Sequence, residues 1–262
     1  MNPELNRFKL DGKVAVVAGG SGGIGAAACA ALAAVGADVV IVGRSPERLE
    51  ATRQAVETSG RAPLVVAADM ADPDQADSVL DQAMARFGRV DVLINGIGGG
   101  AGTALYPAES YPRNEWNRIV DLNLTTALNA SQAAARAMIA GGEGGSVLNI
   151  SSVRGQLGID SGFSAYVAAK GAMDALTRQH ATEWAKYDIR VNAISPTFVR
   201  TEQTATLLAD EEFYTGLTKR IPLGRIADTE DVIGAVLFFC SPASAFVTGQ
   251  ILTLDGGLTA TQ

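Results

Sequence analysis

The chain has 262 residues, 47% of them hydrophobic and 19% charged, with a formal net charge of −7. That balance provides for a large core and excludes a disordered chain. Without a basic run there is no footprint for nucleic acid, and without a stretch of about 18 apolar residues there is no membrane helix. The N-terminus, MNPELNRFKLDGK, lacks the apolar centre of a signal peptide, so a cytoplasmic protein is expected.

Short apolar runs alternate with helical segments along the whole chain. A strand over Val14–Ala18 leads to a helix over Ile24–Val35, stopped by Gly36. A strand over Val39–Val42 leads to a helix over Pro46–Ser59, started by Ser45 and stopped by Gly60. The strand Leu64–Ala67 precedes a helix over Pro73–Phe87, between Asp72 and Gly88. Next come the strand Val92–Ile94 and a long helix, Arg113–Ala140, stopped by Gly141. Strand Ser146–Ile150, helix Ser164–Tyr187 and strand Ile189–Ile194 follow. Residues 201–220 read as a helical lid, before helix Thr229–Cys240, which starts at Asp228, and strand Ile251–Leu254. The start and stop residues are those that satisfy the free groups of helix ends.

Most runs are rich in Val, Ile and Leu without polar alternation, as in strands buried on both faces. The order predicts an α/β fold: a three-layer, doubly wound parallel sheet of the Rossmann type, with about seven strands in one domain over residues 1–262. Residues 10–100 form the cofactor half and 120–257 the catalytic and substrate half.

Cys29 and Cys240 lie in apolar segments and read as buried thiols. There is no metal-ligand spacing, and the single histidine, His180, is remote from any nucleophile motif. No metal and no hydrolase triad are expected.

The first strand runs into Ala18-Gly19-Gly20-Ser21-Gly22-Gly23-Ile24-Gly25 and then a helix. Glycines in that position let backbone N–H groups approach a pyrophosphate, and the helix N-terminus favours its charge. The second strand ends Val42-Gly43-Arg44-Ser45. An acid there selects NAD by binding the ribose 2′-hydroxyl. Here Arg44 favours the 2′-phosphate of NADP by about one to two decades, with NAD still possible.

Tyr166 and Lys170 are four residues apart, on one face of the predicted helix. The strand ending Asn149-Ile150-Ser151-Ser152 precedes them. A phenol titrating near 10 is a poor proton donor and acceptor at neutral pH. An ammonium about 4–5 Å away contributes roughly 3–4 kcal/mol and is expected to lower the phenol by about two to three units.

Together these motifs resemble the short-chain dehydrogenase/reductase family from about Leu10 to Gly257. Gly19, Gly23, Ile24 and Gly25 match its T-G-x-x-x-G-I-G, with Ala18 in place of threonine. The resemblance implies that Tyr166 is the acid and base, Lys170 its partner on the ribose, and Ser152, rather than Ser151, the orienter of the substrate oxygen. Asn123 resembles the asparagine that supports a proton relay. The alternative for Asn123 is a polar residue that kinks its helix. Asp69 resembles the residue that binds adenine. Asn95 and Gly98 match the segment N-N-A-G, and the glycine run through Gly100 suggests a loose wall. The expected cofactor set is Gly19, Ser21, Gly22, Gly23, Ile24, Gly25, Arg44, Ser45, Asp69, Met70, Asn95, Gly96, Tyr166, Lys170, Pro196, Val199 and Thr201. Thr197 stands where the family has glycine and puts that turn in question.

The expected activity is hydride transfer between a nicotinamide cofactor and a small ketone or secondary alcohol. Ser152-Val153-Arg154-Gly155 and Pro196-Thr197 resemble gluconate and polyol dehydrogenases. The alternatives are a 3-oxoacyl-carrier-protein reductase and a non-catalytic dinucleotide sensor. Arg154 and Arg200 are candidates to meet a substrate carboxylate, against an ordinary surface role. Helices Arg113–Ala140 and Ser164–Tyr187 are apolar on more than one face. With the resemblance, this implies a homodimer, or a homotetramer completed by the segment from Val247 to Gly257.

Overall fold

The computed structural model describes residues 3–100, 103–159 and 162–261. Seven strands form where apolar runs were read: β1 (Val14–Ala18), β2 (Asp38–Gly43), β3 (Leu64–Ala67), β4 (Val92–Asn95), β5 (Gly145–Ile150), β6 (Ile189–Pro196) and β7 (Ile251–Leu254). They pair in parallel, in the order β3-β2-β1-β4-β5-β6-β7. The helices are α1 (Pro3–Asn6), α2 (Gly23–Ala34), α3 (Pro46–Glu57), α4 (Pro73–Phe87), α5 (Arg113–Val120), α6 (Thr126–Gly141), α7 (Ser164–Trp184), α8 (Glu202–Leu208), α9 (Glu211–Thr218) and α10 (Thr229–Cys240).

Alternate strand residues face opposite layers, so an unbroken apolar strand supplies two cores. On one side, Ala15, Val17, Ile41 and Ile94 pack with Leu32 of α2 and Val236 of α10. On the other, Val16, Val40 and Leu93 pack with Val79 of α4 and Ala130 and Ala134 of α6. Each large apolar side chain so buried contributes about 1.5–3 kcal/mol relative to exposure.

Helix ends follow their local chemistry. Asp72 accepts from Asp74 N at 2.9 Å, and Gly88, with φ of 77°, closes α4. The expected stop at Gly141 is corrected by one residue. Helix α6 includes Gly141, and Gly142, with φ of 70°, turns the chain and donates to Met138 O at 3.1 Å. Either glycine of the pair tolerates that conformation, and the sequence does not distinguish them. Helix α1 was not anticipated, since its segment is polar and short. Among the described residues, no helix is long and apolar enough to cross a membrane.

Strand order reverses between β1 and the central strand, β4. Chains leave these two strands in opposite directions, which opens a crevice at their carboxyl ends.

Candidate active site

The crevice floor is made of two touching loops. At Gly19, φ is +88° and an added Cβ would meet Gly96 C at 2.6 Å. At Gly25 a Cβ would meet Gly19 O at 2.1 Å. The first turn of α2 therefore lies directly on the loop that precedes it. Gly22 caps that helix without a side-chain hydrogen bond, leaving the leading N–H groups for a ligand. These features fit the pyrophosphate of a dinucleotide. At the end of β6, Thr197 Oγ1 is buried without a partner among the described residues. The turn carries threonine without strain, because Asp188 is the only described non-glycine residue with positive φ. Thr201, which starts α8, reaches the glycine loop: a Cβ on Gly23 would lie 3.0 Å from its Cγ2.

At the outer corner a side chain on residue 43 is excluded, since a Cβ on Gly43 would meet Ser21 Oγ at 2.6 Å. Arg44 projects into solvent and touches Asp69 only loosely, at 3.9 Å. Ser45 caps α3, which turns Arg48 back toward Gly22. Sequence reasoning missed Arg48. Its signal is the position one turn inside a helix that begins at the corner. Arg48 pairs with Glu202 of α8. Asp69 Oδ1 accepts from Ala71 N at 3.0 Å, and Met70 beside it is fully buried.

Asn95 is buried below the crevice. Its Nδ2 donates to Ser131 Oγ at 2.8 Å and to Asn149 Oδ1 at 2.7 Å. Asn149 in turn donates to Thr177 Oγ1 at 2.8 Å, tying β4 and β5 to α7. The amide nitrogen is thus committed to the scaffold, while Oδ1 is buried without a partner among the described residues.

The glycine run after β4 is not loose. Asn123 Oδ1 accepts from Gly99 N at 3.0 Å, and its Nδ2 donates to Gly99 O at 2.9 Å. From α8, Gln203 donates to Gly98 O at 3.1 Å. Asn123 lies within one turn of π-helix, Asp121–Thr125, that joins α5 to α6. A wide turn of this kind often marks a functional position, and here it aims the asparagine at the loop. Gly98 is required beneath it, since a Cβ there would meet Asn123 Oδ1 at 2.9 Å and Lys170 Nζ at 3.2 Å.

At the end of β5 the two serines separate. Ser151 donates to Asp174 Oδ1 at 2.5 Å, inside the fold. Ser152 accepts from Arg154 N at 3.2 Å, and its hydroxyl acts on the Tyr166 phenol, holding the phenol's pKa down. The extended chain just past β5 makes this split, with Ser151 engaged by Asp174 and Ser152 on the Tyr166 side.

Lys170 is 3% exposed, and its Nζ donates to Ile150 O at 2.9 Å. Nζ lies 5.7 Å from the Tyr166 ring centroid. Burial lowers the lysine from 10.5 to about 8, against the pull of Asp174. The expected lowering of the phenol by this ammonium is corrected. Burial raises Tyr166 above its ordinary value, and the groups that oppose the rise are the Ser152 hydroxyl and the Arg154 guanidinium. Both partners of the expected pair are desolvated, and that cost exceeds the attraction anticipated from spacing alone.

Arg154 is 7% exposed, not the surface residue that its type suggests. Arg200 is exposed and engages Asp228 at 3.2 Å. His180 stacks on Trp184 with centroids 4.0 Å apart, away from this cluster. Burial raises both cysteines, Cys240 to about 12. Among the described residues there is no grouping suited to a metal ion.

A glycine-cradled crevice at a sheet's switch point, ending in a serine, a tyrosine and a buried lysine, defines a nicotinamide-dependent oxidoreductase acting on CH–OH groups. The profile of a family described as enoyl-(acyl carrier protein) reductase matches residues 18–259. The chain belongs to the short-chain dehydrogenase/reductase family. It is 36% identical to a gluconate 5-dehydrogenase of Gluconobacter oxydans (strain 621H) across 98% of each chain. It is 38% identical to a tropinone reductase homolog of Arabidopsis thaliana, over 97% of this chain and 94% of that one. The crystal structure of a gluconate 5-dehydrogenase from Burkholderia cenocepacia J2315, in complex with NADP and tartrate, superposes with a TM-score of 0.91 at 35% identity, covering 98% and 99% of the two chains.

Proposed function

We propose that this enzyme interconverts a secondary alcohol and a ketone on a sugar acid or polyol, using NADP(H). The observation that carries the reading is the grouping of Tyr166 with buried Ser152 and buried Lys170, whose Nζ lies 5.7 Å from the Tyr166 ring, where the crevice ends. The names of the gluconate 5-dehydrogenase relatives support the substrate class.

The nicotinamide supplies or accepts the hydride when bound. The protein's part is the proton. In reduction the carbonyl oxygen accepts hydrogen bonds from Ser152 Oγ and the Tyr166 phenol, which fix its position. As negative charge grows on that oxygen, the phenol gives up its proton. In oxidation the same oxygen returns it. Lys170 holds the cofactor ribose beside the phenol, and Asn123 braces the loop over both. Gly19, Ser21, Gly22, Gly23, Ile24 and Gly25 hold the pyrophosphate. The backbone of Asn95 and Gly96 lines the crevice, and Asp69 and Met70 receive the adenine. Pro196, Val199 and Thr201 border the nicotinamide.

Arg44 and Ser45 hold the 2′-phosphate, with Arg48 beside them. Arg44→Ala is expected to raise KM for NADPH about tenfold and to leave KM for NADH nearly unchanged. Equal changes for both cofactors in steady-state assays would remove the phosphate assignment. A screen of sugar acids, polyols and 3-oxoacyl thioesters with both cofactors tests the substrate class. A strong preference for the thioester would overturn it.

The enzyme assembles as a homodimer or homotetramer. β7 is an edge strand with Leu252 41% exposed, and Phe246 beside it is fully exposed. An open edge flanked by apolar side chains invites a second chain. Light scattering at micromolar concentration is expected to show a multiple of 27.0 kDa, and a single-chain mass would contradict the assignment.

A further inference from the structure

Arg154 is the second residue after Ser152, in the tight turn Val153–Gly155 that follows β5. The turn is pressed onto α7: a Cβ on Gly155 would meet Lys170 O at 3.0 Å and Asp174 Oδ2 at 2.7 Å. Arg154 is buried within that turn, and the charge of the Tyr166 phenol reaches it. Its Nη1 donates to Gly158 O at 3.0 Å, and it forms no ion pair with a described carboxylate. The charges that act on it are the Tyr166 phenol and the guanidinium of Arg220. Arg220 follows α9, on the lid side of the crevice, where it is exposed and has no ion pair among the described residues.

A nearly buried guanidinium facing a second cation is costly on its own, and a protein ordinarily supplies an acid to such a group. Among the described residues no carboxylate relieves it, and an anionic ligand at Tyr166 would. We infer that Arg154, with Arg220 from the lid, binds the carboxylate of a hydroxy-acid substrate and so sets the position of its reacting carbon over Tyr166. A planar guanidinium matches a carboxylate with two parallel hydrogen bonds, which fixes direction as well as distance. Arg220, whose charge reaches Arg154, adds a second cation at that end, so an acid would gain what a neutral polyol would not. The burial that lowers Arg154 and the mutual repulsion of the two arginines are both relieved when the anion arrives. This inference rests on the sugar-acid reading and narrows it to the acids.

The test compares D-gluconate with D-glucitol, which carries a hydroxymethyl group in place of the carboxylate. Arg154→Met keeps the apolar stem. It is expected to raise KM for gluconate about tenfold or more and to change KM for glucitol less than twofold. Calorimetric titration of the NADP-loaded enzyme with gluconate is expected to weaken by the same factor. Arg220→Gln, at an exposed position just past α9, is expected to give the same selectivity with a smaller loss, and it decides the matter if Arg154→Met does not fold. Equal losses for acid and polyol, or unchanged gluconate binding in both variants, would overturn the carboxylate site while leaving the sugar-acid reading intact. If gluconate binds in an Arg154-dependent way but is not oxidised, the site stands and the substrate reading fails.

Discussion

Tyr166→Phe is expected to lower kcat by about a hundredfold or more while leaving the dissociation constant of the cofactor within about twofold. The variant keeps the ring, and with it the packing against Ala104, Ile119 and Ala165. It removes the oxygen that, in the proposed reaction, donates to the substrate. The residual rate then measures what positioning alone achieves, through Ser152 and the cradle. Fluorescence titration with the cofactor and steady-state turnover together check it. Retention of more than about a tenth of wild-type kcat would take Tyr166 out of the proton-transfer role.

The second large effect is on pH. Reduction requires the phenol to be protonated and the lysine to be charged. Burial sets these two groups moving apart: the phenol holds its proton above its ordinary value, while Lys170 loses its proton as pH rises through about 8. The kcat/KM for reduction is therefore expected to be level below about pH 7 and to fall about tenfold per unit above about pH 8. The fall belongs to the lysine, since the phenol is still protonated there. A profile level to pH 10 would show that the ammonium is dispensable.

Much of this fold was legible because its strands are buried on both faces. Val14–Ala18, Leu64–Ala67 and Ile251–Leu254 appear with their predicted limits, and so do the helices Pro73–Phe87 and Thr229–Cys240. The apolar runs and the residues that cap helices are local signals, and local signals survive folding. The candidate site was legible for another reason. Ser152, Tyr166 and Lys170 come from one strand and the next helix, so their spacing in the chain mirrors their spacing in space.

What the sequence hid is non-local. Arg154 reads as a surface charge because arginine usually is one, and only the turn pressed onto α7 buries it. The lysine's effect on the tyrosine was overestimated because spacing says nothing of how deeply each group lies. The glycine run read as loose, yet Asn123 and Gln203 fasten it from helices that lie 24 and 105 residues away along the chain. Arg48 was passed over because its relevance depends on where α3 starts relative to the glycine loop.

The wide turn at Asp121–Thr125 has a mechanical meaning for the long helix that contains it. One residue advances an ordinary helix by about 100° around its axis. The extra residue in this turn therefore resets the phase of everything after it. Upstream, Trp116 and Ile119 face α7 and Tyr166. Downstream, Ala130, Ala134 and Met138 face the sheet. A single unbroken spiral would carry the two apolar stripes out of step with their separate neighbours. The helix thus works as a geared coupling, two rods on one axis with an offset between them, and Asn123 sits at the offset. Deleting one residue from that turn would re-time the two rods and swing the asparagine away from Gly99, even though no residue touching the substrate had changed.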